Sequence, residues 1–162
     1  MKNSIIKTAL ILMVSGFTIN ANAATGGVKA PEQVTAEFTA RYPGAVLKDW
    51  KMDKAGYKAE FKLNHKKQTA VYAADGTWLK SSIKLSGTKD MPLAVKTALR
   101  NSKYASFYED EIKKVTTQNG TLYVLTIDNH SGSTMATEGY GNWEDYQVTF
   151  DSNGLLTSVK EL

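Results

Sequence analysis

Two stretches of this 162-residue chain are written alike. Residues 72–78 read YAADGTW and residues 148–156 read VTFDSNGLL. Each is an apolar strand, an Asp/Asn-Gly turn and a second apolar strand, the local signature of a β-hairpin. The residues ahead of the hairpins repeat as well. Pro31 opens a segment in which Val34, Phe38 and Tyr42 recur every fourth residue, one stripe of a helix that Pro43-Gly44 ends. Pro92 opens another, PLAVKTALRNSKY, with Val95, Ala98 and Leu99 on its stripe. Pro31 and Pro92 stand 61 residues apart, as do Val34 and Val95, and Phe38 and Leu99. Tyr57 and Tyr123 are 66 apart, and Gly76 and Gly154 are 78 apart. The order of features holds while the spacing grows at loops, as in a unit that was copied and then received insertions. A chance echo of two hairpins is the alternative.

Strand-like runs fill each copy. Residues 45–52, 57–63, 68–73 and 77–85 follow the first helix, and residues 111–117, 121–128, 145–150 and 155–161 follow the second. In residues 57–63, Tyr57, Ala59, Phe61 and Leu63 alternate with Lys58, Glu60 and Lys62, the pattern of a sheet with one dry and one wet face. Turns are expected at Ala55-Gly56, at Asn64 to Lys67, at Asn119-Gly120 and at Asn153-Gly154. One such unit would bury too little apolar surface to stand alone. The expected fold is therefore α+β: two tandem α-β-β-β repeats, 31–85 and 91–162, forming one antiparallel sheet of about eight strands with two helices on one face and the other face open.

Residues 1–23 are expected to be a secretory signal peptide. Lys2 and Lys7 precede the apolar run TALILMVSGFTI, and Ala21-Asn22-Ala23 is a small-x-small cleavage signature. The run is short of the roughly 20 residues a membrane span needs. Cleavage after Ala23 would leave a flexible start, 24–30, and one domain, 31–162. No cysteine is present, so neither a disulfide nor a lipoprotein anchor can form. A periplasmic or secreted protein without a later membrane span follows. The formal charge of +4 falls to +2 once Lys2 and Lys7 are removed, which gives no support to a nucleic-acid partner.

The stretches EFTARYPGAVLKDW, YKAEF, TAVYAADGTWLKS and MPLAVKTAL resemble those of the secreted bacterial family called PepSY-like, or β-lactamase-inhibitor-like. The resemblance covers Pro31 to Leu162 and rests on Phe38, Tyr42-Pro43, Trp50, Phe61, Asp75-Gly76 and Trp78. It implies a tandem repeat with a concave sheet, like that of a protein inhibitor of β-lactamase. It does not imply β-lactamase inhibition, because a shared fold does not carry a shared function.

Catalytic chemistry is not expected. His65 and His130 are isolated in turns, and there is no thiol, no Gly-x-Ser-x-Gly elbow and no His-Glu-x-x-His. Two distant histidines without a spaced third ligand make a poor metal site, and no cofactor motif is present. Glu109-Asp110-Glu111 and Glu144-Asp145 read as solvated charge, and Asp151 to Gly154 as a turn rather than a calcium loop.

What remains is surface. A three-residue loop, Ala74 to Gly76, would set Tyr72 opposite Trp78. It would sort Val71, Ala73, Leu79 and Ile83 inward, and Tyr72, Trp78 and Lys80 outward. Exposed aromatics beside lysine resemble interface anchors, though Tyr72 and Trp78 could equally cover each other as a cross-strand pair. Met135, Tyr140 and Trp143, in the Gly-rich insertion 130–143, are further candidates for contact, with a tolerated loop as the alternative. The expected function is a non-enzymatic protein-binding or inhibitor-like module that grips another exported or envelope protein. The alternative is a sensor of a small peptide, glycan or lipid, which would need an apolar concavity.

Overall fold

A computed structural model describes residues 28–129 and 144–162. Helix α1 (Glu32–Arg41) precedes strands β1 (Val46–Asp53), β2 (Gly56–Leu63), β3 (Lys66–Tyr72) and β4 (Trp78–Lys84). A 3-10 turn (Thr88–Asp90) leads into helix α2 (Leu93–Arg100), followed by β5 (Tyr108–Thr117), β6 (Gly120–Asp128), β7 (Asp145–Asp151) and β8 (Leu156–Glu161). The eight strands form one antiparallel sheet in chain order. Each unit thus carries four strands after its helix, one more than an α-β-β-β notation allows. Helix α2 stops at Arg100, short of the expected Tyr104, because the Ser102 hydroxyl donates to the Leu99 carbonyl (2.7 Å) and ends the turn.

Alternation and register place both helices on the same face. Val34 and Phe38 of α1 pack on Trp50, Ala59, Phe61, Ala70 and Tyr72. Val95 and Leu99 of α2 pack on Ile112, Tyr123, Leu125, Ile127, Val148 and Phe150. These two cores share no residue. Between them, on the helix face, runs the β4–β5 seam, where Ser81 opposes Thr116 and Ile83 opposes Lys114. Ahead of α1, the Val28 N–H donates to the Trp50 carbonyl (3.1 Å) and Ala30 is buried. The expected signal peptide and residues 24–27 lie outside the described residues.

The duplication is visible in the irregularities. The β1–β2 ladder bulges between Leu47 and Asp49, and the β5–β6 ladder between Glu109 and Glu111. The β3–β4 ladder bulges between Val71 and Tyr72, and the β7–β8 ladder between Thr149 and Phe150. The repeated hairpin has a packing reason. Gly76 and Gly154 close three-residue loops at φ +90° and +87°, conformations that favour glycine. A Cβ on Gly76 would stand 3.1 Å from the Gln33 carbonyl oxygen, and one on Gly154 would stand 2.6 Å from that of Ala94. Each hairpin tip is therefore pressed under the first turn of its own unit's helix. The Gln33 side chain also donates to the Ala74 carbonyl (3.0 Å), fastening the first tip.

The open face of the sheet as candidate functional site

Tyr72 sits opposite Trp78 across a three-residue loop, as the hairpin chemistry predicts. The face is the reverse of the expected one. Tyr72 is wholly buried in the first core, edge-on to Trp50 at 6.1 Å, and is no contact residue. Burial pushes its hydroxyl far above the ordinary phenol range. Trp78 shares that face and is half-buried, with the Arg41 guanidinium 4.5 Å above its ring. Val71, expected inward, lies on the open face between Lys58 and Lys80, yet is only 2% exposed. Lys80 is exposed on the open face, as expected. Met135, Tyr140 and Trp143 lie outside the described residues. The two ends of that insertion meet, however: the Asn129 N–H donates to the Glu144 carbonyl (3.2 Å), and the Glu144 N–H to the Asn129 Oδ1 (3.1 Å).

One consequence is measurable. Trp78→Ala is expected to lower stability by about 2 kcal/mol, because it opens the packing between Arg41 and the first core. Urea unfolding reads this directly, and a loss below about 0.5 kcal/mol would mark Trp78 as a surface residue after all.

The open face itself is polar rather than aromatic. Among the described strand residues, Tyr108 is the one aromatic that register assigns to it, opposite Asp128, and it is more than half exposed. Sequence reasoning missed it because it lies ahead of the expected strand start at 111. The central feature is a run of lysines across the strands. Lys62 pairs directly with Lys67, and Lys84 directly with Lys113. The Gln68–Ile83 pair places Lys67 and Lys84 side by side one step further on. Together with Lys48 in the β1 bulge, these side chains line a groove of about 720 Å³ whose floor carries Thr69 and Ser82, hydroxyl to hydroxyl at 2.8 Å.

Carboxylates offset part of this charge. Glu60 accepts from the Lys51 Nζ (2.8 Å) and lies 3.6 Å from that of Lys58. The Lys51 hydrogen bond holds the Glu60 carboxyl below the usual carboxylate range, so its contribution is present at neutral pH and fades as pH falls through that depressed value. Glu111 pairs with Lys113 and lies 3.7 Å from Lys84. Among the described residues, Lys48, Lys62, Lys67 and Lys80 make no ion pair. Beyond the lysines, Val115, Leu122, Val124 and Thr149 continue the face across β5 to β7, with Asp128, Asp145 and Asp151 on the same side of β6 and β7.

Nothing in the remaining chemistry-bearing residues converges. His65 is exposed in the β2–β3 turn, and no group of three metal-ligating side chains occurs among the described residues. The Asp151 Oδ1 accepts from the Asn153 and Leu155 N–H groups (2.9 Å each), so that carboxylate serves the turn. No described helix is long and apolar enough to cross a membrane.

No family model matches the chain, and no curated protein matches it either. Solved structures do. A DUF2874 family protein from Bacteroides ovatus superposes with a TM-score of 0.70 at 21% identity, over 83% of this chain and 89% of that one. A BLIP-like protein from Bacteroides fragilis gives 0.69 at 20%, over 85% and 90%. A protein described as periplasmic from Bacteroides eggerthii gives 0.69 at 20%, over 83% and 90%. None of these three carries the PepSY-like description. At such identity the likeness is one of fold: this chain has the architecture of the BLIP-like proteins of Bacteroides.

Proposed function

We propose that this chain is an exported, non-enzymatic module that binds another exported or envelope protein with the open face of its sheet. The observation that carries the reading is that both helices occupy one face while no described element packs on the other. Seven inter-strand spacings of about 4.8 Å and strands of about 23 Å give a face of roughly 800 Å², what one partner contributes to a standard interface. The basic start and apolar run of residues 1–23, read as a secretory leader, support a place outside the cytoplasm. The groove volume also suits a small ligand, but the open face extends past the groove over Val115, Leu122 and Val124, which favours a protein partner.

The test is differential capture. Mature protein is immobilised and exposed to envelope extract alongside two variants, Leu122→Arg on the open face and Thr97→Arg on the exposed side of α2. The expected result is a retained protein that Leu122→Arg loses by about tenfold and Thr97→Arg keeps, since a bulky charge at an interface centre typically costs more than 1 kcal/mol. Equal capture by all three forms, or loss with Thr97→Arg alone, would reject the open face as the binding surface.

A further inference from the structure

We propose that the lysine row at the β1-bulge end of the open face is the seat of an acidic segment of the bound protein, with Lys48, Lys62, Lys67 and Lys84 taking its carboxylates. The inference rests on the open-face reading and names the partner's chemistry. Its first support is that the fold alone gives no reason for the row. Like charges directly opposite on neighbouring strands are destabilising. Yet Lys62 faces Lys67 with no carboxylate between them, and Lys84 faces Lys113 with Glu111 shared by both. A ligand that brings negative charge would relieve that repulsion.

The geometry suits an extended chain. The lysines repeat at the strand spacing, about 4.8 Å, and long stems let each ammonium adjust to a carboxylate that does not match the spacing. Thr69 and Ser82 on the floor can give and accept hydrogen bonds, so backbone groups of the segment find partners there.

Two observations favour a polypeptide over a glycan or a free anion. The groove runs without a break into the neutral surface of Val115, Leu122 and Val124, which a small anion would leave uncovered and a protein would bury. The two arginines, Arg41 and Arg100, both lie in helices, so the open face lacks the planar forks that favour phosphate.

The probe is a labelled dodecapeptide of alternating Glu and Ser, compared with its Gln-Ser counterpart and with an oligogalacturonate of equal charge. Binding is read by fluorescence anisotropy in 50 mM NaCl. The acidic peptide is expected to bind at least about tenfold more tightly than the neutral one, and to weaken about tenfold in 300 mM NaCl. Lys62→Gln/Lys67→Gln is expected to weaken it about tenfold, while Lys89→Gln/Lys96→Gln, the same charge change elsewhere, leaves it unaltered. Lys67→Glu should abolish binding and raise the thermal midpoint, because it sets an acid between two lysines. Four results would overturn the inference: no preference for the acidic peptide, equal loss in the distant variant, tighter binding of the oligogalacturonate, or a lowered midpoint in Lys67→Glu. A captured protein that is lost with Leu122→Arg but indifferent to Lys62→Gln/Lys67→Gln would keep the binding face and remove the acidic segment.

Discussion

Gly56→Ala is expected to destabilise the protein by about 4 kcal/mol, near the upper end for a single substitution. Gly56 opens β2 at φ +140°, and a Cβ there would stand 2.2 Å from the Tyr72 carbonyl oxygen and 3.2 Å from the Ala73 Cα. Both obstacles are backbone, so no side chain can rotate aside. Relief requires β2 to part from β3 at the Tyr57–Tyr72 rung, beside the buried Tyr72 ring. The control is built into the second unit. Gly120 opens β6 at φ +129°, but the β5–β6 hairpin is longer and its end meets nothing within 4 Å. Gly120→Ala should therefore cost only the conformational penalty, about 1 kcal/mol. Urea midpoints of the two variants separate contact from conformation. Similar losses would mean that the close approach at Gly56 relaxes freely.

The contrast shows how much of this fold is legible in residues alone. Helix stripes, turn glycines and the order of strands follow from local chemistry, which is why the eight described strands and two helices come in the expected order, with differences at the end of α2 and the start of β5. The three-residue loop at Ala74 to Gly76 is likewise a local matter, and it sets Tyr72 against Trp78. Which face of that hairpin meets the helices is not local. Val71 and Leu79 look like core residues, and Tyr72 and Trp78 look amphipathic, so side-chain character points the wrong way. The decisive signal lay one turn earlier. Asn64 and His65, both at positive φ (50° and 63°), make a two-residue turn, with Leu63 opposite Lys66. Counting back from that pair sets Tyr72 beside Tyr57, on the side of Ala59 and Phe61. The longer turn, Asn64 to Lys67, would pair Tyr72 with Ala59 and so give the same face; side-chain character, not turn length, is what misleads at this hairpin. The two-residue turn brings Lys62 against Lys67, where the longer turn would set it against Thr69, so the turn length decides where the lysines gather and its parity decides the buried face. The groove was illegible for another reason: its members come from β1 to β5, and only the cross-strand register assembles them.

Phe61→Ala is expected to cost about 3–5 kcal/mol and to do so unevenly along the sheet. Phe61 is 2% exposed, with its ring 5.1 Å from that of Phe38 and 4.7 Å from that of Tyr42, so it joins α1 to the sheet. The two cores share no buried residue, and the units meet through the β4–β5 ladder from Lys80–Thr117 to Lys84–Lys113, the Lys84–Glu111 pair, Leu85 packed on the second core, and hydrogen bonds from the Leu85 N–H to the Ile112 carbonyl (2.8 Å) and from the Gln118 amide to the Trp78 carbonyl (2.9 Å). A seam of mostly polar rungs transmits less loss than a shared apolar core would, so opening can stay within one unit. Amide hydrogen exchange on Phe61→Ala should show β1 to β3 losing protection while β6 and β7 keep most of theirs. Ile127→Ala, at the matching place in the second core, should reverse the pattern. If either substitution lowers protection equally in both halves, the seam couples the units as strongly as a common core, and the two copies fold as one cooperative body.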